Sequence, residues 1–177
     1  MRKIFSILLG MALLLTSLTG CGTKSDGLMT KTLFPEFSEN DMNGNIITND
    51  IFSEYKATIV NFWNNGCGSC IAEMPELEEL YHQFQKMNIN LIGVGTDSGE
   101  SDEQYETAKE ILEEKGVTYQ NISPTTENSF YKEFVSELSS YPTTYIVDNE
   151  GNIIGAPIAG NVKKQLDTIT TRIENIQ

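Results

Sequence analysis

Two cysteines with two residues between them are the part of this sequence best suited to chemistry. Cys67 and Cys70 follow an apolar stretch rich in β-branched and aromatic residues, and they open a stretch with helical periodicity. A cysteine at a helix N-terminus lies near unpaired backbone N–H groups and the positive end of the helix dipole, which favour its thiolate. The second sulfur lies about one turn further on, close enough to form a disulfide. The pair predicts dithiol–disulfide exchange through a mixed disulfide.

The residue types leave other uses of the cysteine pair open. A zinc site needs four ligands, and His82 is the only histidine that could join the pair. A purely structural disulfide would constrain little of the unfolded chain, because the loop it closes is so short. Copper(I) binding by the two thiolates is the alternative from the binding class, although no Met- or His-rich segment leads to the pair.

Composition excludes several other classes of function. The 177 residues contain 12 Lys plus Arg against 25 Asp plus Glu, a net charge of −13, so a cationic surface for nucleic acid is not expected. With 39% hydrophobic and 21% charged residues, the chain fits neither a disordered protein nor a multi-span membrane protein. Three glycines at Gly93, Gly95 and Gly99 follow a predicted strand, but the last is one position too late for a dinucleotide-binding loop.

The N-terminus is typical of an export signal. Arg2 and Lys3 precede an apolar run over residues 4–15 that is short for a membrane span, and the segment ends at Cys21. The residues Leu18 to Cys21 resemble the lipobox of bacterial lipoproteins, which predicts lipid on Cys21 and a location at the outer face of the cell membrane. The predicted organisation is a signal peptide over 1–20, a lipidated tether over 21–32 and one domain over 33–177.

The elements that must position the cysteine pair alternate between strands and helices. A clean apolar stripe from Ile158 to Ile176 predicts a terminal helix, and Pro75 predicts a kink in the helix that follows the pair. Turn signals at 41–45 and 148–151 each join two strands. The remaining predictions are strands over 58–63, 90–95, 117–122, 143–147 and 152–154 and helices over 67–87, 101–115 and 126–138.

The sequence around both halves of the predicted site resembles the thioredoxin-like proteins of the TlpA/ResA type. The first half is Asn61-Phe62-Trp63 before the cysteine pair, with Glu73 and Pro75 after it, and the second is the segment 141–148 followed by Gly151. The resemblance covers about residues 33–177. It implies an α/β thioredoxin-like fold, with a central mixed sheet flanked by helices, an N-terminal strand pair and a helix–strand insertion over about 101–122.

The resemblance also implies roles for individual residues. Cys67 would be the exposed nucleophile and Cys70 the buried resolving thiol. Glu73 would match a buried acid that accepts the proton of Cys70, whereas without the resemblance it is a solvated glutamate in the first turns of a helix. Pro142 would be a cis-proline facing the disulfide, and Tyr141 would offer its backbone groups to a substrate strand.

Trp63 would match the aromatic residue beside the family's site, and a core packing role fits it equally well. The family often places an aromatic residue directly before the first cysteine, and this chain has Gly66 there. Gly68 and Ser69 lack the proline of strong reductants and the histidine of strong oxidants, which leaves the redox potential open.

The sequence and the resemblance together predict an extracytoplasmic protein-disulfide reductase. The implied partners are disulfide-bearing client proteins and an integral-membrane thiol donor of electrons, with no cofactor and no nucleic acid. A thiol peroxidase on the same fold is the alternative enzyme, although Asn64 stands where that family usually has a threonine.

Overall fold

The computed structural model describes residues 32–176, which contain one mixed β-sheet and its flanking helices. The strands are β1 (Thr32–Leu33), β2 (Ser38–Asp41), β3 (Ile46–Thr48), β4 (Ala57–Trp63), β5 (Ile89–Gly95), β6 (Asn121–Ser123), β7 (Thr143–Asp148), β8 (Asn152–Ile153) and β9 (Ile158–Ala159). The α-helices are α1 (Gly68–Gln85), α2 (Asp102–Glu114), α3 (Ser129–Glu133) and α4 (Leu166–Glu174).

The strand that leads to the cysteine pair lies at the centre of the sheet. The strand order is β1-β8-β7-β4-β5-β6-β2-β3, with β9 paired to β7. β4 runs parallel to β5 and antiparallel to β7, and all seven of its residues are buried. This explains its mostly apolar and β-branched sequence, because both faces of a central strand are covered. The predicted α/β architecture with an N-terminal strand pair, β2 and β3, is confirmed.

Successive side chains of β4 point to opposite faces of the sheet and so contribute to two different layers of the core. Ile59 packs with apolar residues of α1 and α4, whereas Val60 and Phe62 pack with α3 and an aromatic cluster from the N-terminal segment. Trp63 lies on the Ile59 face and packs between α1 and α2. The cysteine pair at the start of α1 is therefore attached to a rigid central strand.

The inserted segment differs from its prediction. The strand predicted over 117–122 is wrong in extent, since β6 begins only at Asn121. The preceding residues form a loop because other groups take their hydrogen bonds: Val117 N–H donates to the carbonyl of Leu112, and Thr118 N–H donates to the Glu78 carboxylate at 2.7 Å. α2 and its C-terminal glycine, Gly116, confirm the predicted helix over 101–115.

Two other helices are shorter than predicted. The helix predicted over 126–138 is confined to α3 and a 3₁₀ turn, because Phe134 leaves helical geometry at φ −132°. The terminal stripe is not one helix: Ile158 lies in β9, and α4 begins only at Leu166. Gly160 adopts φ +91° between them, a conformation that an L residue rarely takes, so the chain turns out of the strand there.

Candidate active site

Cys67 and Cys70 form a disulfide at the N-terminus of α1. Their Cα atoms are 5.3 Å apart, and Cys67 is the N-cap residue of the helix. The Sγ atom of Cys67 accepts a hydrogen bond from the backbone N–H of Cys70 at 3.2 Å. In the reduced protein the same N–H group and the helix dipole would stabilise a thiolate on Cys67.

The two sulfurs differ in exposure. Cys67 is partly exposed, whereas Cys70 is 1% exposed and packs with Trp63 and Met74. An external disulfide can therefore reach Cys67 before Cys70. This asymmetry is consistent with the sequence prediction that the first cysteine attacks and the second resolves.

Glu73 lies one turn after Cys70 and is buried, with 3% of its surface exposed. Burial raises the pKa of Glu73 from 4.5 to about 7, although the Val162 N–H and the Asn61 amide oppose the shift. The Val162 N–H donates to Oε2 at 3.0 Å, and Oε1 has no hydrogen-bond partner among residues 32–176. The carboxyl group therefore changes protonation near neutral pH and keeps one oxygen available for a proton.

Asn61 is a buried polar residue at the centre of β4 that the sequence analysis did not assign to the site. Its Nδ2 donates to Thr144 Oγ1 at 3.1 Å across the β4–β7 pair. The Asn61 side chain also lowers the pKa of Glu73. An asparagine inside an otherwise apolar central strand was the sequence signal that could have identified it.

Trp63 is held in the core beside the disulfide. Its Nε1 donates to Asn121 Oδ1 at 2.9 Å, and Asn121 Nδ2 donates to the carbonyl of Tyr119 at 3.1 Å. The indole is 1% exposed. A Cβ atom on Gly93 would lie 1.9 Å from Asn121 Oδ1, so only glycine fits beside this amide. The glycines of β5 thus serve close packing, in agreement with the sequence argument against a dinucleotide loop.

Tyr141 and Pro142 immediately precede β7, next to the end of β4. The peptide bond between them is cis, and Phe62 pairs with Thr143 in the β4–β7 register. The Tyr141 side chain is partly buried against the cluster that contains both cysteines. Among residues 32–176, no hydrogen bond is made by the backbone N–H or carbonyl of Tyr141. These groups are therefore available to an extended strand lying across the disulfide.

Gly66, the residue before Cys67, has no steric need to be glycine. A Cβ atom on Gly66 would meet only Asn64 Oδ1, at the ordinary contact distance of 3.6 Å. An exposed glycine here leaves the surface beside Cys67 without the bulk of an aromatic side chain.

Two other sequence predictions concern metals and membranes. Within the described part of the chain, no three His, Cys, Asp or Glu side chains are grouped so as to hold a metal ion. No α-helix there is long and apolar enough to cross a bilayer. Cys21 and the predicted signal peptide lie outside the described residues.

The chain matches one protein family and is similar to several named thiol-disulfide oxidoreductases. The sequence profile of the AhpC/TSA family matches residues 30–156. Proteins named thiol-disulfide oxidoreductase ResA are similar over nearly the whole chain. The one from Geobacillus thermodenitrificans (strain NG80-2) is 26% identical over 175 residues, 96% of this chain and 94% of that protein. The one from Bacillus thuringiensis subsp. konkukian (strain 97-27) is 25% identical over 182 residues, 97% of this chain and 94% of that protein.

Solved structures show the same fold. The thioredoxin domain of a thiol-disulfide oxidoreductase from Bacteroides vulgatus superposes with a TM-score of 0.66 at 24% identity, covering 82% of this chain and 99% of that one. A thiol:disulfide interchange protein from Bacteroides sp. gives a TM-score of 0.64 at 24% identity, with 85% and 94% covered. The thioredoxin-like fold implied by the sequence resemblance is thereby confirmed.

Proposed function

We propose, starting from the fact that this chain belongs to the AhpC/TSA family, that it is a thiol-disulfide oxidoreductase that reduces disulfides of client proteins outside the cytoplasm. One observation carries the proposal: a disulfide whose first sulfur is partly exposed at a helix N-terminus, while the second is buried one turn from a carboxyl group with a pKa of about 7.

The reaction is a pair of thiol–disulfide exchanges. The Cys67 thiolate attacks one sulfur of the client disulfide, and the other client sulfur leaves as a thiolate that takes up a proton. Cys70 then attacks Sγ of Cys67 and releases the second client thiolate. Two electrons pass from the dithiol to the client, which leaves reduced, and the enzyme is left with the Cys67–Cys70 disulfide.

Glu73 serves the second exchange. A buried thiol must lose its proton before it can attack, and water cannot reach Cys70 to accept that proton. The unpartnered Oε1 of Glu73 provides an acceptor one turn away, and a pKa near 7 leaves the carboxyl group partly ionised at neutral pH. Accepting this proton speeds the exchange in which Cys70 is the attacking group.

The client strand and the electron supply complete the proposal. The free backbone groups of Tyr141, next to cis-Pro142, would pair with an extended client segment, while Trp63 supports the disulfide from the core side. Because the oxidised enzyme must be reduced again, an integral-membrane thiol carrier is the proposed donor. The lipobox-like sequence supports anchoring through Cys21 at the outer face of the membrane.

Trapping of mixed disulfides tests the assigned roles. We expect Cys70→Ser to accumulate covalent complexes with client proteins in intact cells, because the resolving thiol is missing, and Cys67→Ser to accumulate none. In the Cys70→Ser strain, Cys67 should react with a membrane-impermeant maleimide if the domain lies outside the membrane. Equal trapping by both variants would contradict the roles given to the two sulfurs.

Peroxide reduction is a second candidate, favoured by the family match itself. Its chemistry differs, because a peroxidatic cysteine reacts with peroxide without help from the second thiol. Peroxide consumption that survives in Cys70→Ser and is lost in Cys67→Ser would support it. We expect the Cys70→Ser protein to capture clients and to consume no peroxide above the background of a free thiol.

A further inference from the structure

The loop that carries the nucleophile is tied to two other elements through one asparagine. The backbone N–H of Asn65 donates to both carboxylate oxygens of Asp97, at 3.1 and 3.0 Å. The side-chain Nδ2 of Asn65 donates to the backbone carbonyl of Gln104 at 2.9 Å and to its Oε1 at 2.7 Å. Asp97 follows β5, and Gln104 lies in the first turn of α2, so the inserted helix reaches the active-site loop.

The hydrogen bonds before this asparagine extend the same attachment. The N–H and the hydroxyl of Thr96 both donate to the carbonyl of Trp63, at 2.8 and 3.0 Å. The N–H of Cys67 donates to the carbonyl of Asn64 at 3.0 Å, which closes the turn between β4 and α1. Each residue from the end of β4 to Cys67 therefore has a hydrogen-bonded backbone group or is the direct neighbour of a residue that has one.

Side-chain packing cannot hold this loop. Gly66 is exposed and has no side chain, and a Cβ atom there would contact only Asn64 Oδ1. The segment before Cys67 is therefore fixed by hydrogen bonds, and those of Asn65 are the ones that reach Asp97 and α2. Two residues span at most about 7 Å between Cα atoms, so a displacement of Asn65 is carried directly to the nucleophile.

We propose, on the basis of the thiol-disulfide oxidoreductase function argued above, that Asp97 is a positioning residue for Cys67. Its carboxylate fixes the Asn65 backbone, the Asn65 side chain locks this loop to α2, and together they set where α1 begins and which N–H groups face the Cys67 sulfur. Asp97 does not touch the reacting atoms, and it acts through Asn65.

We call the hydrogen bonds from Asn65 to Asp97 and Gln104 the clamp. Two neutral variants of Asp97 separate the effect of losing these hydrogen bonds from the effect of losing the negative charge. Asp97→Asn removes the charge but keeps one oxygen to accept the Asn65 N–H, whereas Asp97→Ala removes both. We expect the Cys67 thiol in the reduced Cys70→Ser background to react with iodoacetamide several-fold more slowly in Asp97→Ala than in Asp97→Asn, measured on the Cys67 peptide of the full chain by mass spectrometry. Disulfide reduction by the corresponding variants with Cys70 intact should fall about tenfold in Asp97→Ala and recover in Asp97→Asn.

Asp148 offers a matched control at the other end of the sheet. Its Oδ1 also accepts backbone N–H groups, from Glu150 at 3.0 Å and Asn152 at 2.8 Å, and it pairs with Ala57, the residue of β4 most distant from the site. Asp148→Ala should leave the reactivity of Cys67 unchanged even if it lowers the melting temperature.

The alkylation measurement needs no client protein. It therefore tests the positioning role of Asp97 even if the wild-type protein reduces no disulfide and the proposed function fails. Equal Cys67 reactivity in Asp97→Ala and Asp97→Asn would overturn the proposal. So would a loss of reactivity in Asp148→Ala as large as the loss in Asp97→Ala, since both would then follow general destabilisation.

Discussion

Two carboxylates in this protein expose almost none of their surface, and their pKa values shift in opposite directions. Asp41, at the end of β2, is 1% exposed, and Glu73, in α1, is 3% exposed. Burial raises the pKa of both groups, yet the pKa of Asp41 ends below its usual value and that of Glu73 rises to about 7.

Depth of burial and the number of hydrogen-bond donors together explain the difference, because Asp41 lies nearer the protein surface than Glu73 and accepts more hydrogen bonds. Asp41 accepts the backbone N–H groups of Asn43 and Asn45, at 2.8 and 2.9 Å, and the Asn45 amide as well. Glu73 accepts one backbone N–H, from Val162, and its second oxygen is left without a partner among the described residues. Donors favour the charged form and burial opposes it. A carboxylate that accepts hydrogen bonds on both oxygens stays ionised and holds a turn, whereas a buried carboxyl group with one oxygen free of hydrogen bonds can take up a proton.

The largest expected effect comes from removing the proton carrier. Glu73→Gln keeps the shape of the side chain and an oxygen for the Val162 N–H, but it cannot exchange a proton. We expect reduction of the Cys67–Cys70 disulfide by dithiothreitol to slow by about a hundredfold, because the Cys70 thiolate leaves without a proton donor. The step near pH 7 in the pH–rate profile should disappear. The reaction can be followed by the fluorescence of Trp63, the single tryptophan of the chain.

The same substitution should raise stability at alkaline pH. The pKa of Glu73 is higher in the folded protein than in the unfolded one, so the folded state binds more protons between pH 4.5 and about 7, and stability is lost as the pH rises through that range. The loss amounts to about 3 kcal/mol above pH 7. Oxidised Glu73→Gln should therefore exceed the wild type in urea unfolding at pH 8 but not at pH 4.5. An unchanged pH–rate profile would return Glu73 to a structural role.

The opposite result is expected from the turn carboxylate. Asp41→Ala leaves the N–H groups of Asn43 and Asn45 without their acceptor, which should cost about 2 kcal/mol of folding free energy at pH 7. Because the folded pKa of Asp41 is lowered, its contribution is present above its unfolded pKa and is lost as the pH falls through the folded value. Urea unfolding at pH 7 and pH 3 should show the wild-type advantage shrinking in acid. A changed pH–rate profile in Asp41→Ala would break the distinction between the two carboxylates.

Sequence reasoning located the groups proposed to react better than the groups that hold them in place. Cys67, Cys70 and Glu73 lie within two turns of one helix, so helical periodicity alone places them together. The donors that tune them come from elsewhere: Val162 reaches Glu73 across 89 residues. Asp97 reaches Asn65 across 32 residues.

Such long-range contacts depend on sheet register, which short apolar patterns do not fix. The parallel pairing of Gly93 with Asn121 illustrates this, because it positions the amide that binds Trp63. The strand predicted over 117–122 began too early, since the loop before Asn121 is held by a helix side chain rather than by a neighbouring strand.

The smallest expected effect comes from removing a single hydrogen-bond donor to Glu73, and it tests most directly whether donors set the pKa of that group. Val162 has φ −61°, which a proline can adopt, and proline lacks the N–H that donates to Glu73. With burial unchanged and its strongest donor gone, the pKa of Glu73 in Val162→Pro should rise above about 7, moving the step in the pH–rate profile upward by about one unit. Val162→Ala is the control, because it truncates the same buried side chain but keeps the N–H. If the two variants share one midpoint, the Val162 N–H does not set the protonation of Glu73, and the contrast with Asp41 must have another origin than the number of donors.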